Sequence, residues 1–78
     1  MKNLNKMTPL GIYLIKKSVN RAMVSKRTGI SQARLSQLSL NESTKLRADE
    51  LYLIALAIDV DPGDLLKEVC KNLKLPQS

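Results

Sequence analysis

The chain has no histidine, no tryptophan, no phenylalanine and a single cysteine in 78 residues. Without histidine, the commonest general base and metal ligand at neutral pH is missing. Cys70 alone can neither close an internal disulfide nor build a zinc site. The three glycines, at 11, 29 and 63, are scattered, so there is no glycine-rich loop to cradle a phosphate. Asp59, Asp61 and Asp64 lack the spacing of a calcium loop, and helix capping explains them better. These absences argue against an enzyme and against a resident metal or cofactor, and they leave no catalytic residue or small-molecule ligand to name.

Without large aromatics beyond Tyr13 and Tyr52, the core has to be aliphatic. That suits short, closely packed helices better than a sheet. One domain of this size buries roughly 60% of its unfolded surface, so the core is thin. Cys70 lies in an apolar stretch and reads as a buried free thiol, which fits a reducing cytoplasm. The longest candidate for a leader or membrane segment, Leu10 to Ile15, is six residues bounded by Pro9 and Lys16-Lys17. It is too short for either, since a membrane span takes about 20 apolar residues. The expectation is a soluble cytoplasmic protein with no membrane partner.

Acidic residues are almost missing from the first part of the chain. Residues 1–47 carry ten Lys or Arg and only Glu42, a net +9, whereas residues 48–78 carry three Lys and six acids, a net −3. A basic half of this kind suggests a polyanionic partner.

The local signals predict five short helices and no strand. Residues 1–7 read as a flexible basic arm. Thr8-Pro9 is an N-cap followed by a first-turn proline, opening a helix to about Lys17. Asn20 caps a second helix over about 21–28, with Ala22, Met23 and Val24 partly inward. Gly29 ends it in the left-handed conformation, and Ile30 plugs the turn. Ser31 caps a third helix over about 32–39, with Leu35 and Leu38 on its inner face. Asn41 is a candidate to close it with positive φ. A fourth helix covers about 47–58, with Leu51, Ile54, Ala55 and Ile58 inward and Asp49 and Glu50 in its first turn; its N-cap is not evident. Asp61-Pro62 opens a fifth, to about Asn72, with Leu65, Leu66, Val69, Cys70 and Leu73 on one face. Residues 74–78 read as a frayed tail, leaving one domain over 8–73. The class is all-α, a compact five-helix bundle.

Within it, residues 20–38 form helix, tight turn and helix, a unit that can seat its second helix in the major groove. Three linked patterns resemble the Cro/repressor-type helix-turn-helix family, also called the XRE family. They are Thr28-Gly29-Ile30-Ser31, the following Leu35, Ser36 and Leu38, and the run Leu51 to Pro62. The resemblance spans about Thr8 to Leu66 and implies a lambda repressor-like DNA-binding domain. It places base-reading positions at Gln32, Ala33 and Gln37, and a base or phosphate contact at Arg34. Arg21 falls where the family usually has a glutamine that grips a phosphate and braces the recognition helix. There are departures. A helix 1 arginine and helix 3 glutamate that pair in many members are Leu14 and Ser39 here. The helix 2 alanine is Ser25, and the Arg-Gly after helix 3 is Leu40-Asn41.

The side-chain chemistry is suitable. A glutamine carboxamide bonds adenine N6 and N7 together, a small alanine lets the helix approach a thymine methyl, and an arginine fits guanine O6 and N7. The phosphate candidates are Arg21, Lys45, Ser31, Ser36, Lys17 and Arg47, with Lys16, Lys26 and Arg27 as further cations and Lys2 and Lys6 on the arm. Leu65 and Leu66 are expected inside, and Val69, Leu73 and Leu75 at a homodimer interface. The function expected is sequence-specific double-stranded DNA binding by a transcriptional regulator, in particular a repressor. The alternatives are a protein-interaction module, antitoxin-like or an assembly partner, that retains the fold with weak DNA binding, and an architectural or mobile-element factor.

Overall fold

The computed structural model describes residues 7–76 and contains five helices and no strand among them. These are α1 (Pro9–Lys16), α2 (Arg21–Thr28), α3 (Gln32–Leu40), α4 (Ala48–Ala57) and α5 (Pro62–Val69). Of the expected arm over residues 1–7, residues 1–6 lie outside the described residues, as do the last two residues of the tail. Lys2 and Lys6 are therefore not placed.

The helix starts follow local capping chemistry. The side chain of Thr8 accepts from the Gly11 amide, that of Asn20 from the Ala22 and Met23 amides, that of Ser31 from the Arg34 amide and that of Asp61 from the Asp64 amide. Each satisfies first-turn N–H groups that have no partner within the helix. Gly29 has φ 81° and ends α2 in the left-handed region. The turn is closed by Thr28, whose hydroxyl donates to the Val24 carbonyl at 2.7 Å and accepts from the Ile30 amide at 3.1 Å. Two further helix ends also use the left-handed region, through Ser18 (φ 55°) after α1 and Asp59 (φ 59°) after α4. The amides of Val19 and Val60 then reach back to the Leu14 and Ala55 carbonyls, and both valines pack on the core, which completes a left-handed helix stop.

The core is wholly aliphatic: Leu10, Leu14, Val24, Leu35, Leu38, Leu51, Ile54, Ala55, Ala57 and Leu65. Helix α3 lies across α1 and α2, α4 packs on α2 and α5, and α5 closes against α1. At the crossing of α1 and α3 the two backbones nearly touch. The Thr8 amide donates to the Ser39 carbonyl at 2.9 Å, and the Thr8 hydroxyl donates to the carbonyls of Leu38 at 2.7 Å and Ser39 at 3.1 Å. Thr8 thus caps α1 and also occupies carbonyls at the end of α3. Gly11 permits the approach, since a Cβ there would overlap the Ser39 carbonyl.

Several sequence expectations need correction. Leu66 is 51% exposed rather than inside, because α5 meets the core along the line of Leu65 and Val69. Helix α5 ends at Val69, short of Asn72, and Cys70 is half-buried rather than buried. Asn41 follows α3 in an extended conformation (φ −121°), and its side chain accepts from the Ser43 amide and hydroxyl instead. Ala22 is exposed, leaving Val24 as the buried residue of α2. Leu14 and Ser39, in place of the family's charged pair, are both buried, and the Ser39 hydroxyl has no hydrogen-bond partner among the described residues.

The Gly11 contact gives a sharp expectation. Gly11→Ala removes one of the molecule's closest backbone approaches and should destabilise the fold by about 3 kcal/mol, the upper end of the overpacking range. Urea unfolding followed by circular dichroism checks it. A loss under about 1 kcal/mol, no more than a tolerated apolar swap, would mean that the two helices can separate without penalty.

Candidate nucleic-acid interface

Helix α3 is nine residues long, and an α-helix with its side chains is about 10–12 Å across, which the roughly 12 Å wide major groove admits. Its inner face buries Leu35, Leu38 and Ser39. Gln32, Ala33 and Gln37 lie exposed on its outer face. Neither glutamine makes a side-chain hydrogen bond to any described residue. Helical spacing sets positions 33 and 37 one turn apart on the same line, with Gln32 about 100° round the helix from Ala33, so two carboxamides and a methyl share the broad solvent-facing side of α3. Carboxamides and a methyl are groups that can read base edges.

The helix is held at three places. At its C-terminal end Thr8 binds its carbonyls, as described above. In the middle, Arg21 Nη1 donates to Ser36 Oγ at 3.3 Å, tying the start of α2 to α3. At its N-terminal turn, Arg34 meets Glu50 of α4. Arg34 Nε donates to Glu50 Oε2 at 2.9 Å, and Nη2 donates to Glu50 Oε1 at 3.0 Å and to the Lys45 carbonyl at 2.8 Å. Glu50 is buried, at 8% exposure. Its Oε1 also accepts from the Arg47 amide at 3.0 Å. One carboxylate therefore serves the first turn of two helices. It also answers the N-cap left open by the sequence: α4 starts at Arg47, whose side chain cannot accept, and Glu50 three residues on supplies the acceptor.

The remaining candidates divide by what they touch. The Ser31 hydroxyl is occupied as the α3 cap and the Ser36 hydroxyl as acceptor for Arg21. Arg47 pairs with Asp49 at 3.2 Å on an open surface, an arrangement that contributes little. Lys17 stands over the Tyr13 ring, 5.5 Å from its centroid. Arg27 donates to the Ala57 carbonyl at 3.0 Å, at the negative end of α4. Lys16, Lys26 and Lys45 are exposed. Beyond the groove helix, Leu73 and Leu75 are 75% and 89% exposed and Val69 is half-buried. Glu50 was legible only as a first-turn acid. A glutamate at the third helical position, behind a residue unable to cap, was the available signal for its second role.

Electrostatics make the Arg34–Glu50 contact pH-dependent. The hydrogen bond from the Arg34 guanidinium, aided by the Arg47 amide, holds the Glu50 carboxyl below its ordinary value of 4.5 despite partial burial. On acidification the unfolded chain therefore takes up this proton first. The stabilisation is complete above that ordinary value and is lost as pH falls through the lower folded value. Glu50→Gln should be less stable than wild type at pH 7, and the gap in urea midpoint should close on acidification below about pH 4. A gap that stays constant down to pH 2 would show that the pair's charge does not matter.

No described helix is long and apolar enough to cross a membrane, and the described residues contain no cluster of three or more potential metal ligands. Searches of curated proteins and of solved structures return no match. A family model for the Cro/C1-type HTH DNA-binding domain matches residues 10–71, which takes in all of α2 to α5 and nearly all of α1. With a groove-sized helix standing on an all-helical frame and its polar strip facing outward, the chain belongs to the family of Cro/C1-type helix-turn-helix DNA-binding domains.

Proposed function

We propose that the protein is a sequence-specific transcriptional regulator, a repressor that binds its operator as a homodimer. The observation that carries this reading is the exposed strip Gln32, Ala33 and Gln37 on a helix fixed at both ends. The glutamines bond adenine edges and Ala33 lies against a thymine methyl. Arg21 and Lys45, beside the ends of the elements that flank α3, grip phosphates, with the Ser31 and Ser36 hydroxyls adding neutral contacts and Lys17 and Arg47 long-range attraction. These cations give salt-sensitive affinity, while the strip on α3 gives preference. Leu73 and Leu75, exposed beyond the end of α5, form the dimer contact together with the outer edge of half-buried Val69. Repression is steric, the bound dimer excluding polymerase in the cytoplasm.

Selection from randomised duplexes at about physiological salt is the direct test. A palindrome with half-site centres about 10 bp apart is expected. An unpaired half-site would remove the dimer, and no enrichment at all would remove sequence-specific binding and favour the protein-interaction module. On the selected site, Gln32→Ala should cost about 1–3 kcal/mol and relax preference at one base step. An equal loss on every duplex would show that Gln32 does not face a base.

A further inference from the structure

We infer that Arg34 is a positioning residue and not a DNA-contacting one, and that Glu50 sets the base preference of α3 by keeping this guanidinium out of the groove. The inference rests on the reading that α3 enters the major groove, and it revises which of its residues read bases.

The atoms decide it. An arginine has five N–H donors in a planar fork, and guanine reading takes two of them in parallel. In Arg34 the single Nε hydrogen is given to Glu50 Oε2, and the two Nη2 hydrogens to Glu50 Oε1 and the Lys45 carbonyl. Only Nη1 keeps free hydrogens, so neither parallel edge of the fork is left. Freeing one would strand a carboxylate whose side chain is only 10% exposed, and an uncompensated buried charge is among the costliest defects a protein can carry. The stranded carboxylate would keep only the Arg47 amide, on Oε1, as a partner. A phosphate approaching Arg34 meets a neutralised pair rather than a cation.

The position adds a second reason. Arg34 is the third residue of α3, in the first turn, where the helix dipole disfavours positive charge. Glu50 lies in the first turn of α4, where it favours negative charge. Pairing the two corrects the misplaced charge and fixes the angle between the helices. Gln32 and Ala33 are the neighbours of Arg34 on the same turn, so this contact sets how they are presented.

The test compares wild type with Glu50→Gln and with the double variant Arg34→Met, Glu50→Gln. The double variant removes the donor without leaving a lone buried carboxylate. Each full chain is titrated with a duplex across a salt series and put through the same randomised-duplex selection. Glu50→Gln keeps an acceptor for the Arg47 amide but releases the arginine. Its salt slope should steepen by about 0.9, the increment for one added phosphate contact. It should also gain guanine at the step facing the first turn of α3, about tenfold tighter than the other bases there. The double variant should match the wild-type slope and show no lost guanine. A purely structural role for the pair would not steepen a slope.

A double variant that stays helical, loses one guanine preference and drops in slope by about one would overturn the inference, because Arg34 would then already touch DNA. An unchanged slope and preference in Glu50→Gln would overturn it from the other side. Should the double variant unfold, the Glu50→Gln slope alone decides. If wild type enriches no sequence, the groove reading has failed separately, and slopes on a random duplex still report whether Arg34 is withheld.

Discussion

The Glu50 carboxylate is the contact on which the DNA-facing side of this molecule depends. It binds the first turn of the recognition helix through Arg34 and starts the next helix through the Arg47 amide. A nine-residue helix is marginal by itself in water, so the orientation of its outer strip must come from its anchors. Thr8 fixes the far end and Arg21 the middle. The apolar side chains beneath, Leu35 and Leu38, hold α3 to the core through contacts that are non-directional. Directional polar contacts fix its orientation, which a base-reading strip needs fixed.

That division of labour follows from composition. A core without Trp or Phe offers few bulky anchors, so helices have to approach closely to gain contact. Gly11 against the Ser39 carbonyl is the extreme of this. The same closeness has a cost at Ser39, where a buried hydroxyl has no partner among the described residues. Leu14 and Ser39 take the place of two larger charged side chains. A groove of about 510 Å³, lined by them with Met7, Ile15, Val19, Arg21 and Leu40, runs beside them.

What the sequence revealed and what it hid divide by range. Thr8-Pro9, Asn20, Gly29, Ser31 and Asp61-Pro62 mark boundaries because capping acts over three or four residues. Gln32, Ala33 and Gln37 were legible because helical spacing sets them on one face once the cap is known. Arg34 looked like their equal by the same spacing. Its partner lies 16 residues away across a loop, and no periodicity reports such a pairing. Leu66 failed for a related reason. An amphipathic pattern gives the apolar face of α5 but not how much of that face its neighbours can cover, and the thin core covers Leu65 alone completely. Ser18 and Asp59 end helices in the left-handed region; aspartate has some tendency to adopt it and serine little, and the apolar valines that follow both are the shared signal.

The lopsided charge that first pointed to a polyanion takes a more exact meaning from these contacts. Formal charge counts every arginine of the basic half equally, but the molecule does not. Arg34 is neutralised by Glu50, and Arg27 is committed to the Ala57 carbonyl at the end of α4. Arg47 shares its charge with Asp49, while Lys17 rests on Tyr13. Arg34, Arg27 and Arg21, with planar multiple donors, brace neighbouring elements here. The exposed Lys16, Lys26 and Lys45 keep mobile ammonium groups toward solvent. Counterion release depends on charges that reach phosphates, not on formal charge. Under the proposed reading, these lysines with Arg21 attract DNA, and discrimination is left to the neutral exposed face of α3. Affinity and specificity can then be tuned at separate positions.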